Sequence, residues 1–143
     1  MRICVHENLS ELRERYVEPL VGDLLVRLND EFLFAAEDLS GDIRVNVYLQ
    51  DIPECTLADG VLSARTTVDF LAGGEVPADM EQVALATEDS VLEELRGELP
   101  EGVSVEVSGE PRVESGDVGR GYTWRLLCSS GQGFLSEPRP FWA

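Results

Sequence analysis

The chain has 143 residues and a mass of 15.8 kDa, a length that fits one domain with one core. Apolar residues make up 43%, which excludes wholesale disorder, and no apolar run approaches the ~20 residues that span a bilayer. Twenty-eight acidic against 11 basic side chains give −17, a balance that disfavours direct binding to nucleic-acid phosphates. Residues 1–7 contain no long apolar h-region, so no secretory signal is expected.

Residue 6 is the one His. Cys4 and His6 would share a strand face and would allow a Cys–His nucleophile on paper, but two ligands do not make a metal site. Cys4, Cys55 and Cys128 are far apart and lack C-x-x-C spacing. They read as mostly buried thiols in a reducing cytosol, not as a zinc site or disulfide framework.

Residues 8–30 predict a helix. Asn8 caps it, with Glu11 placed for a capping box. Leu9, Leu12, Tyr16, Leu20, Leu24 and Leu28 recur every three or four residues. Pro19 predicts a kink or two short helices meeting there. Residues 31–39 are ambiguous, because Phe32, Leu33 and Phe34 follow no clear period, and 40–42 break the chain. Residues 42–51 predict a strand with Ile43, Val45, Val47 and Leu49 on one face. Residues 51–60 read as a loop.

Residues 61–71 alternate again, with Leu62, Ala64, Thr66, Val68 and Phe70 on one face. The two strands should pair antiparallel. After Gly73-Gly74, residues 78–99 predict a helix with a Leu85, Leu92, Leu95 and Leu99 stripe. Glu88, Asp89, Glu93, Glu94 and Glu98 should cover its solvated face. Residues 103–107 predict a short strand, 108–120 a long turn or hairpin tip, and 122–128 a last strand. The order α-β-β-α-β-β predicts an α+β domain over 1–130, a mostly antiparallel or mixed sheet packed against helices. An irregular C-terminal arm covers 131–143.

Phosphate-loop, dinucleotide and nucleophile-elbow motifs are absent, as is an EF-hand spacing. The glycines of 116–121 precede a strand and lack the helix N-terminus that would hold a phosphate. The carboxylates are too many to single out an acid/base pair. No catalytic residue, cofactor or metal site is expected, and the chain does not read as an enzyme.

Four pieces carry a resemblance: the helix of 8–28, the strands of 43–50 and 61–71, the helix of 79–99 and the strand of 122–129. Together they resemble the tail terminator proteins of long-tailed, siphovirus-like viruses of bacteria and archaea. The resemblance implies a virion structural protein that forms a ring, usually of six copies, caps the tail tube and joins it to the neck. Implied partners are copies of itself, the tail tube protein and a neck or head-completion protein, with no sequence-specific nucleic-acid binding and no membrane. The implied location is the neck end of the virion tail, assembled in the host cytoplasm.

Every basic residue is Arg, and there is no Lys. GC-rich coding explains the missing Lys but not −17. Salt at 1 M shrinks the Debye length to ~3 Å, so a large charge costs little there. Joined to the resemblance, the acidity suits a virus of a salt-loving archaeon. The alternatives are a neck or tail-completion component of the same virion, or an acidic cellular adaptor or small-molecule-binding domain.

Candidate interface residues follow from scarcity of cations. Arg65 lies on a polar strand face, and Arg112 and Arg120 flank the 108–120 turn; each can hold a neighbour's carboxylate bidentately. In the arm, Phe134, Leu135, Phe141 and Trp142 sit beside Pro138 and Pro140. Phe134, Phe141 and Trp142 are candidate anchors on a neighbour or on the arm's own domain.

Overall fold

Asn8 starts the first helix: its side-chain oxygen accepts from the Glu11 N–H at 2.9 Å, while its amide donates to Glu11 Oε1 at 3.2 Å. Helix α1 (Leu9–Leu12) passes into a π turn (Arg13–Val17) and then into α2 (Glu18–Leu39). Pro19 accounts for the π turn. Its ring lacks an N–H and crowds the carbonyl four residues back. The Glu18 N–H reaches Arg13 O instead, a wider turn that carries the helix past the proline without breaking it. The ambiguous residues 31–39 are helical as well. Leu20, Leu24, Leu28, Phe32 and Ala36 form one buried i, i+4 stripe, which leaves Leu33 and Phe34 outside it.

The computed structural model describes residues 8–39, 44–73, 79–114 and 116–127. Five strands follow the helix: β1 (Arg44–Leu49), β2 (Glu54–Ala58), β3 (Val61–Gly73), then helix α3 (Met80–Glu98), then β4 (Val103–Glu114) and β5 (Asp117–Leu127). The fold is α+β, with every pairing antiparallel and the order β1-β3-β5-β4. β1 and β2 lie along the same edge of β3, one after the other.

Two segments differ from the sequence reading. The expected loop over 51–60 contains β2, returned onto β3 by a two-residue turn with Asp59 at φ 53° and Gly60 at φ 75°. The expected long turn over 108–120 is instead the body of the β4–β5 hairpin, interrupted by a register shift between Ser108 and Arg112.

The helices cover one sheet face. Trp124, Tyr16, Tyr122, Phe32 and Phe70 are its largest buried side chains, and Phe32 meets Phe70 edge to face at 5.3 Å. Val47, Leu62, Val68 and Phe70 point inward as their alternation predicts, and Leu92 and Leu95 join them. Leu85 is only half-buried; Ala84, Thr87, Glu88 and Val91 take the inner face of α3. Glu88 thus departs from the acidic face expected for it. Ile43 and residues 128–143, including the arm, lie outside the described residues. No described helix is long and apolar enough to cross a membrane.

Candidate functional site

Strand β5 carries Gly119-Arg120-Gly121 across the middle of the sheet, and its alternation places charged groups on both faces. Beneath the helices, Arg120 grips Glu88 bidentately, Nε to Oε1 at 2.7 Å and Nη2 to Oε2 at 2.9 Å. The Tyr122 hydroxyl donates to Glu88 Oε1 at 2.8 Å. Burial first, and then the Glu88 charge, push the Tyr122 phenol well above its usual range. The Arg120 guanidinium is raised chiefly by its hydrogen bond to Glu88. This cluster ties α3 to β5.

The other face is covered by no described element. Here Arg112 lies flat over Gly119 and donates to Asp69 Oδ1 at 2.7 Å. A Cβ at 119 would come within 2.9 Å of that guanidinium, so any other residue there would push Arg112 out of this position. Gln50 donates to Asp69 Oδ2 at 2.6 Å. Arg112 also reaches Glu114 at 3.4 Å and Asp117 at 3.6 Å. One guanidinium therefore serves three carboxylates. Burial and then the Asp69 charge raise the Asp117 carboxyl, and the same two causes raise the Tyr48 phenol.

Beside this cluster is an open cavity of about 430 Å³, whose lining includes Ile52, Arg65, Thr67, Gly119 and Gly121. Chemically the face can hold ion pairs around Arg112. Among the described residues, no three His, Cys, Asp or Glu side chains converge as a metal-holding group.

Of the three arginines expected at an interface, Arg65 is exposed and has no ion-pair or hydrogen-bond partner among the described residues. Arg112 and Arg120 are already engaged inside the chain. Phe134, Phe141, Trp142, Cys4, His6 and Cys128 lie outside the described residues. Cys55 is a half-buried free thiol, its pKa raised by burial.

Two of the expected solvated carboxylates are occupied too. Glu94 and Glu98 of α3 hold Arg27 of α2 at 2.8 and 2.7 Å, and Arg27 holds the Glu98 carboxyl below its usual range. The sequence reading missed Glu88, Asp69 and Asp117. For Asp69 the signal was a carboxylate at the centre of an otherwise uncharged stretch of β3. No protein-family model matches the chain, and no curated protein matches it in sequence.

Proposed function

We propose that the chain is a ring-forming virion structural protein, a tail terminator that caps the tail tube and joins it to the neck. The observation that supports this reading is the one-sided sheet. Helices cover one face, while the other displays Arg65, Thr67, Leu71, Arg125 and Leu127 to solvent. A subunit that works by contact needs such a surface. The element order of the resemblance, helix then strands then helix then hairpin, supports it as well.

The acidity gives the test its handle. Subunits at −17 repel one another, and a homomeric ring multiplies that repulsion until salt screens it. Negative-stain images and sedimentation between about 0.05 M and about 2 M KCl should show rings at high salt and dissociation with lower thermal stability at low salt. Monomers at every salt concentration would overturn the ring and favour the small-molecule-binding reading, for which the cavity over Gly119 and Gly121 is the available site. Identical rings and stability at both extremes would overturn the salt-adapted origin.

A further inference from the structure

The helical layer and the sheet differ in charge. Leu9–Leu39 and Met80–Glu98 together carry fourteen acidic and four basic side chains, whereas the five strands carry six and five. On the bare sheet face, Arg65 of β3 and Arg125 of β5 are exposed diagonal neighbours, since Arg65 pairs with Thr123 and Ser63 with Arg125. Neither guanidinium has a partner among the described residues. The cavity described above opens beside Arg65, with Ile52 and Arg112 on its wall and glycine at 119 and 121.

On the outward side of α2, Val26, Asp30, Leu33, Phe34 and Glu37 fall on one stripe by their three- and four-residue spacing. Phe34 is 67% exposed and Val26 61%. Asp30 and Glu37 have no ion-pair partner among the described residues. The stripe thus offers an aromatic knob between two carboxylates with no ion-pair partner among the described residues. The sheet face that no described element covers offers a cavity beside two exposed guanidinium groups.

We propose that the α2 stripe of one copy docks on the bare sheet face of the next, with Phe34 entering the cavity between Arg65 and Arg112 and with Asp30 and Glu37 facing Arg65 and Arg125. This rests on the assembly reading above and names the two surfaces that meet. Guanidinium planes stack on aromatic rings and chelate carboxylates, so the same arginines recognise both parts of the stripe. Asp51, Glu54 and Glu110 line the cavity as well, and Glu54 pairs directly across from Arg65, so a partner's carboxylates would face the Arg125 side of Arg65. Local charge favours one symmetry. A two-fold contact centred on Arg65 and Arg125 would set arginines against arginines, and one of stripe on stripe would oppose carboxylates. The unlike pairing is head to tail, and head-to-tail contacts make rings when their rotation closes.

The test uses three full-length variants at a salt concentration where the parent assembles. Phe34→Ala should keep the monomer's thermal stability and weaken association at least about tenfold. Arg65→Glu with Arg125→Glu should not assemble alone, nor should Asp30→Arg with Glu37→Arg. Mixing the two double variants should restore assembly with strict alternation, read by native mass spectrometry, because the two contacts of the mixed ring, one native and one charge-reversed, are both complementary. Double variants that assemble alone as the parent does would overturn this contact and leave the ring standing. A Phe34→Ala monomer that is itself destabilised would mean that Phe34 is covered by its own chain, which also overturns the contact. A parent that never assembles defeats the assembly reading and this contact with it.

Discussion

Arg120 and Arg112 sit on opposite faces of the same hairpin, and their surroundings differ in both water and stoichiometry. Arg120 meets one carboxylate, Glu88, which is 1% exposed and accepts from both the guanidinium and the Tyr122 hydroxyl. Arg112 is 44% exposed and shares its charge among Asp69, Glu114 and Asp117. The first cluster is dry and balanced; the second is half-wet with carboxylate in excess. The same residue types therefore take different roles. A dry balanced pair fixes the docking of a helix on a sheet. A wet unbalanced one holds strands together loosely and leaves a carboxylate, Asp117, raised by burial and by the Asp69 charge.

Breaking the dry cluster should cost most. Glu88→Ala leaves the Arg120 guanidinium buried without its counter-charge, a loss of about 3–5 kcal/mol. Urea unfolding at high salt measures it, and a loss below about 1 kcal/mol would mean that water reaches the pair. Arg120→Glu should be at least as damaging, since it sets two carboxylates together under α3. Arg120, an expected subunit contact by sequence, would thus affect the fold before the assembly when reversed. Asp69→Ala on the other face should cost less, about 1–3 kcal/mol. It removes the acceptor of both the Gln50 amide and Arg112, but each is exposed enough to find water. If Asp69→Ala proved the costlier of the two, the contrast between the faces would fail.

The same contrast explains what the sequence disclosed. The α+β class, the antiparallel partners β1 and β3, and the inward residues Val47, Leu62, Phe70, Tyr122 and Trp124 follow from period-2 alternation and were legible. β2 was not, because Pro53 and the Asp59-Gly60 turn look like a loop until the turn is read as a hairpin signal. Residues 108–120 misled for a related reason: a register shift with Gly109 at φ 79° breaks the alternation inside a continuous ladder. Glu88 lay hidden among six carboxylates on α3. A helical wheel centred on Leu92 and Leu95 places it near the inner edge, but only its partner Arg120, 32 residues later, makes burial tolerable. Phe34 was legible as an oddity, a second phenylalanine off the apolar stripe, without a surface to pair it with.

The smallest effect sharpens the comparison furthest. Asp117 has a buried Oδ1 with no hydrogen-bond partner among the described residues, and burial followed by the Asp69 charge raises its carboxyl above the ordinary value near 4. The folded chain therefore takes up this proton more readily than the unfolded chain does. Linkage fixes the sign: the contribution of Asp117 to stability falls as pH rises from the ordinary value through the raised one, and it stays low at neutral pH. Asn keeps the shape, removes the charge and can donate to Asp69. Asp117→Asn should accordingly be more stable than the parent at pH 7, on the order of 0.5 kcal/mol. The advantage should shrink toward zero near pH 3, where the parent carboxyl is protonated in both states. Thermal melts of the two proteins at matched pH isolate this group from the many other carboxylates, which titrate alike in both. A variant less stable than its parent at pH 7 would show that the 3.6 Å approach of Arg112 outweighs Asp69, and that the bare face is charge-balanced after all.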